Sequence, residues 1–332
     1  MGGFGVYQAY RRLLRREKVD KNSKYVILYI WGNDYVRSVF RCRYASYYKT
    51  WNDYGGTMFH GNFWSNIEID VKTGKLVEKE NRISSKKEIY NMCDPEFMYD
   101  NLKDDLMLQL HLLSNDLVNS DIDSKGLKKL AKIFGLPEVD FRSTEKMKLT
   151  ARALRDKYSF KATKYILDKT REFCDQHGKE LLIVHFDHIN VFYEMALGKK
   201  RYDQEMIDFI KAKGFNFFDM NEMHLGDFKK FNLSLDEYMK RYFNGHYNPT
   251  GNHFFAYAIK DKIVDWIDPK PITYQQKNDK LINLKNFTVL PGLMDMHTHL
   301  SVQSNPKNYM ENFYMDLDEN AYRSIPYAEK TL

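Results

Sequence analysis

Three short apolar runs stand out from an otherwise polar chain. The first is Tyr25-Val26-Ile27-Leu28-Tyr29-Ile30-Trp31. The second is Leu181-Leu182-Ile183-Val184-His185-Phe186-Asp187, and the third is Phe215-Asn216-Phe217-Phe218-Asp219. Runs of this length and aromatic or β-branched content predict strands: the first buried on both faces, the second buried, and the third a further strand of the same sheet. The first is therefore expected to be parallel and central. Between them, apolar positions recur at helical spacing. Helices are expected over 6–18, over 160–177 up to Gly178, and over 204–213 up to Gly214, each glycine serving as a C-terminal stop. Strand alternating with helix predicts an α/β fold with a parallel, doubly wound sheet.

Residues 41–150 interrupt that alternation. Ile67-Glu68-Ile69-Asp70 and Lys75-Leu76-Val77-Glu78 flank Lys72-Thr73-Gly74 and predict a hairpin. Helices are expected over 97–113 and 126–134, the latter stopped by Gly135 and Pro137. The region reads as an insertion over the substrate side. Its aromatic set, Trp51, Tyr54, Phe59, His60, Phe63 and Trp64, is expected either to line a pocket that stacks on a sugar or to form the insertion's own core. At the start, Gly2, Gly3 and Gly5 read as a tight strand-to-helix turn or as a flexible end.

Composition narrows the classes. The 332 residues make one large or two modest domains, and 43% hydrophobic with 15% aromatic content is enough for a buried core. The net charge of +6 is spread along the chain, and the densest basic run, Arg11-Arg12-Leu13-Leu14-Arg15-Arg16, has an apolar face and reads as a solvated helix. Nucleic acid is not an expected partner. Cys42, Cys93 and Cys174 are odd in number and in no ligand spacing, which predicts neither a disulfide framework nor a zinc site. No apolar run reaches the length of a membrane span and no signal peptide opens the sequence, so as written it is expected to stay soluble in the cytoplasm.

The densest candidate chemistry is Asn244-Gly245-His246-Tyr247-Asn248-Pro249-Thr250-Gly251-Asn252-His253, followed by a helix with Phe255, Ile259, Ile263 and Trp266 on one face. A His held on a loop against a helix start is placed either to act as a general base or to cap the helix. His185, His188 and His224 fall near strand ends in no metal spacing and are expected in polar loop roles.

The 244–253 stretch resembles the last motif block of the SGNH (GDSL-type) hydrolases, Asp-Gly-His-x-Asn-Pro-x-Gly-His. By that resemblance His246 is the catalytic base, and Asn244 stands where the family has its orienting Asp. Two further blocks are similar. The Gly-rich start resembles the turn whose backbone N–H enters the oxyanion hole, matching Gly3. Gly32-Asn33-Asp34 resembles the block whose Asn amide is the second oxyanion donor, matching Asn33. The resemblance spans residues 1–267 and implies a flavodoxin-like three-layer parallel sheet of order 2-1-3-4-5. It also implies an esterase or acyl-transfer domain acting on a small molecule or an acylated carbohydrate, without a cofactor. The family's nucleophile is the Ser of a Gly-Asp-Ser block after the first strand, and no Gly-Asp-Ser occurs in the sequence. The domain is therefore expected to be N-terminally truncated and inactive as written, with an open apolar edge on its first strand and poor solubility.

Residues 268–280 read as a linker. Beyond it, Val289-Leu290-Pro291-Gly292-Leu293-Met294-Asp295-Met296-His297-Thr298-His299 places two imidazoles on one face of a strand. Two such ligands begin a metal site without closing it. Residues 281–332 resemble the first strand and helix of an amidohydrolase-superfamily (β/α)8 barrel, in the imidazolonepropionase-like branch. His297 and His299 would be its first two ligands, and zinc or another divalent metal is implied only for a complete site. The alternatives to a hydrolase are a binding module that keeps the scaffold without the chemistry, and a truncated or fused reading frame.

Overall fold

A computed structural model describes residues 4–17, 23–32, 34–43, 45–46, 63–117 and 122–267. The described chain is mixed α/β. In order it forms α1 (Val6–Glu17), β1 (Tyr25–Trp31), α2 (Asp34–Arg37), β2 (Asn66–Ile69), β3 (Leu76–Lys79), α3 (Pro95–Leu102), α4 (Leu106–Ser114), α5 (Ser124–Phe134) and α6 (Thr144–Gln176). Then follow β4 (Glu180–Phe186), α7 (Tyr193–Ala196), α8 (Gln204–Ala212), β5 (Asn216–Asp219), α9 (Met220–Phe228), α10 (Leu235–Tyr242), β6 (Phe243–Asn244), β7 (His246–Tyr247) and α11 (Pro249–Ile267).

The three apolar runs form one small parallel sheet of order β1-β4-β5. β4 behaves as expected for a middle strand, with Leu182, Ile183, Val184, His185 and Phe186 all buried. β1 departs from its expectation. It is an outer strand of the described sheet, and only Leu28 and Ile30 are buried, while Ile27 is 42% exposed. An apolar run is compatible with a half-covered strand as well as a fully covered one, because composition does not reveal which neighbours arrive.

Helix boundaries follow local capping. The helix expected over 97–113 is two helices, because the Asp105 carboxylate accepts from the Met107 and Leu108 amides at 3.0 and 3.1 Å and starts a new one. The helix expected from 160 begins at Thr144, capped by Ser143, and runs 33 residues.

The described residues form two compact units, one within Met1–Ile183 with Asp203–Asn216, the other within Val184–Tyr202 with Phe217–Leu332. In the first unit, α6 carries much of the core: Ala151, Leu154, Phe160, Ala162, Ile166 and Leu167 are buried, and Tyr35 meets the Phe160 ring edge-on at 5.3 Å. The antiparallel β2–β3 hairpin forms as expected, and Glu78 on it accepts from Tyr7, Tyr165 and Lys169, each at 2.8 Å. Gly5 passes so close to the α2 backbone that a Cβ would collide with the Ser38 amide. The Ser38 hydroxyl in turn accepts from the Tyr7 amide at 3.1 Å and donates to the Asp34 carbonyl at 3.0 Å. Of the aromatic set in the insertion, two members are described: Phe63 is core and Trp64 is half-buried. Phe63 is buried with Cys42 and Ile83, and Trp64 donates its indole N–H to the Phe40 carbonyl at 2.7 Å. Trp51, Tyr54, Phe59 and His60 lie outside the described residues.

Candidate functional site

The second unit brings together the ends of β4 and β5, α9, α10 and the β6–β7 hairpin. Its polar centre begins where β4 ends. Asp187 is buried and caps a π-helical turn, His188–Phe192, accepting from the Ile189 and Asn190 amides at 3.2 and 2.9 Å. Asp219, at the end of β5, caps α9 through the Asn221 amide at 3.0 Å. The Asn221 Oδ1 accepts from the Asp187 amide at 3.0 Å, which fixes the side-chain amide. Its Nδ2 then donates to Asp219 Oδ1 at 2.8 Å and to His185 Nδ1 at 3.1 Å. Arg201 Nη1 closes the group on Asp219 Oδ2 at 2.5 Å.

The hairpin beside this centre is built by local chemistry. Phe243 pairs with Tyr247 and Asn244 with His246, across a turn where Gly245 has φ +74°. That left-handed backbone favours glycine. Asn248 then starts α11. Its Oδ1 accepts from the Gly251 amide at 2.9 Å while its Nδ2 donates to the Arg241 carbonyl at 3.0 Å, which ties the helix start to the end of α10. Pro249 occupies the first helical position, where no amide is needed. Gly251 is buried against the Tyr242 carbonyl and the Tyr247 ring, with no room for a Cβ. The Asn, Pro and Gly of Asn-Pro-x-Gly therefore each have a physical task, and together they fix the segment that carries His246.

His246 is half-buried and Asn244, its partner across the hairpin, is exposed. His188 lies near enough that a charge on His246 opposes one on His188. Burial holds the His188 pKa down, to about 4, with Asp187 acting in the other direction. The His188 ring packs against Phe186 and Phe243 with small interplanar angles, at 5.9 and 4.8 Å.

Behind the hairpin lies a line of hydrogen bonds that the sequence did not announce. His224 Nε2 is 2.6 Å from the Tyr247 hydroxyl, and its Nδ1 is 3.0 Å from the Tyr238 hydroxyl. Tyr238 and Tyr242 both donate to Asp227 Oδ2 at 3.0 Å. His224 is fully buried, and burial presses its pKa down to about 3 with His188 adding to the effect, so the ring is neutral. The expectation of polar loop roles is corrected for all three histidines. His185 is in β4, His188 in the π-turn and His224 inside α9, and all are buried. Only the i, i+4 spacing of Tyr238 and Tyr242 was a readable signal of the cluster.

A shallow apolar groove of about 340 Å³ runs between the π-turn and α10, lined by Ile189, Tyr193, Asp236, Met239 and Lys240. Of the residues expected in the site, Gly3, Asn33, His297 and His299 lie outside the described residues. Among the described residues, no helix is long and apolar enough to cross a membrane. No family model, curated protein or solved structure matches the chain.

Proposed function

We propose that residues 1–267 are an SGNH-like hydrolase domain for acyl-ester hydrolysis or transfer, with His246 as its general base. The observation that carries this reading is the construction of residues 244–251. His246 is half-buried, next to Tyr247, which is hydrogen-bonded to the buried His224, and shortly before a helix whose start is fixed by Asn248, Pro249 and Gly251. A base needs that kind of fixed yet partly accessible imidazole. The order β1-β4-β5 adds support, since it matches strands three, four and five of the 2-1-3-4-5 sheet.

In this reading a serine hydroxyl attacks the ester carbonyl, His246 takes its proton, and the imidazolium returns it to the leaving alkoxide. The Gly3 amide and the Asn33 side chain would receive the oxyanion. The serine belongs to a Gly-Asp-Ser block that the 332 residues do not contain. The test is hydrolysis of 4-nitrophenyl acetate by a longer form in which a strand ending in Gly-Asp-Ser precedes Met1. Turnover in that form, and its loss in His246→Ala, is the expected result. Folded, extended protein without turnover contradicts the reading.

A further inference from the structure

The directions of the hydrogen bonds behind the hairpin follow from a count of protons. Each tyrosine hydroxyl has one hydrogen to donate, and a carboxylate only accepts. The one Tyr238 hydrogen has two acceptors, Asp227 Oδ2 at 3.0 Å and the His224 carbonyl at 3.2 Å; given to either, it leaves the hydroxyl oxygen to accept from His224 Nδ1–H at 3.0 Å, and the shorter bond is the one to Asp227. A neutral imidazole carries one hydrogen, so Nε2 of His224 is then an acceptor, and the Tyr247 hydroxyl must be the donor across 2.6 Å. The line runs one way: Tyr247 to His224, His224 to Tyr238, Tyr238 to Asp227.

Its near end touches the candidate base. Tyr247 follows His246 in β7, and its ring packs nearly parallel to Phe186 at 5.1 Å and against Phe243 at 4.9 Å. At the position where an Asp would orient the imidazole, this chain has an exposed Asn244. We infer that Tyr247, His224, Tyr238 and Asp227 form a positioning relay that holds the β7 backbone, and with it His246, in place of that orienting carboxylate. The inference rests on reading His246 as the base. The four residues act through the hairpin and are not catalytic residues.

The test is NMR on the unliganded chain. Long-range 1H–15N correlation is expected to show His224 as the Nδ1–H tautomer at neutral pH, and Tyr238→Phe, which removes the acceptor, is expected to release that preference. Tyr247→Phe keeps the ring and is expected to displace the His246 imidazole signals while far-UV circular dichroism stays unchanged. An Nε2–H tautomer in the unaltered chain overturns the inference, as do His246 signals that coincide in the unaltered chain and a folded Tyr247→Phe. None of these readings depends on turnover. A correct tautomer with no ester hydrolysis in the extended form counts against the base reading, whereas a wrong tautomer counts against the relay.

Discussion

The Tyr247 hydroxyl sits 2.6 Å from Nε2 of a His224 that no solvent reaches. A buried ring nitrogen that loses its donor is not rescued by water. Tyr247→Phe is therefore expected to destabilise the protein by about 1–3 kcal/mol, the usual cost of a buried unsatisfied polar atom. Urea denaturation measures it. An unchanged midpoint would show that the nitrogen finds another partner.

The buried histidines set an acid limit on stability. The folded-state pKa values of His188 and His224 are lowered to about 4 and about 3, chiefly by burial, while an unfolded histidine titrates near 6.5. Below about pH 6.5 the unfolded chain thus binds more protons than the folded one. Stability contributed by these groups is present above that pH and is lost as pH falls toward 4 and 3. Asp34 and Asp105 work against this loss, so the test is a difference: from pH 6.5 toward 4, His188→Gln is expected to lose less melting temperature than the unaltered protein. Identical profiles for the two proteins would contradict the assignment.

Asp34 and Asp105 act with the opposite sign. Burial raises both to about 6, against the opposing pull of Arg37 on Asp34 and of Arg41 on Asp105. The folded state then holds protons that the unfolded carboxylates have already released. Stability from this source is highest below about pH 4 and falls as pH rises through about 6. Arg41 also pairs with Glu68 at 2.7 Å and with Asp104. Arg41→Met leaves this carboxylate cluster without its cation, and a loss of about 3–5 kcal/mol is expected in thermal or urea unfolding at pH 7. The loss is expected to shrink at pH 5, where Asp105 is protonated.

The helix start behind His246 has two separable supports. Asn248→Ala removes the cap on Gly251 and is expected to cost about 0.5–2 kcal/mol. Gly251→Ala drives a methyl into the Tyr242 carbonyl and the Tyr247 ring. It is expected to cost more than the cap, because the obstruction is backbone and a packed ring. Paired calorimetric scans check the order, and a milder Gly251→Ala would contradict the close packing described.

Elements with a strong local signal were legible in the sequence. The three strands, the β2–β3 hairpin and the helices ending at Gly135, Gly178 and Gly214 all follow from periodicity and glycine stops. The outer position of β1 was not legible, since the run Tyr25–Trp31 does not encode which strands arrive beside it. The break between α3 and α4 was overlooked although Asp105 before Leu106 is a capping signal. Phe63 and Trp64 were ambiguous because aromatic content alone does not distinguish core from pocket. In the candidate site, His246 was legible as chemistry. The relay was not, because Tyr238 and Tyr247 reach His224 from α10 and β7, which only tertiary packing brings to the helix that carries His224 and Asp227.

The reading of His246 as a base for an activated serine is tested most directly by covalent labelling. The extended form carrying Gly-Asp-Ser is treated with a fluorophosphonate and examined by intact-mass and peptide mass spectrometry. One adduct on the serine of that block is expected, forming at least about a hundredfold more slowly in His246→Ala, the lower end of what loss of a general base removes. Labelling at the same rate in both folded proteins would contradict the account.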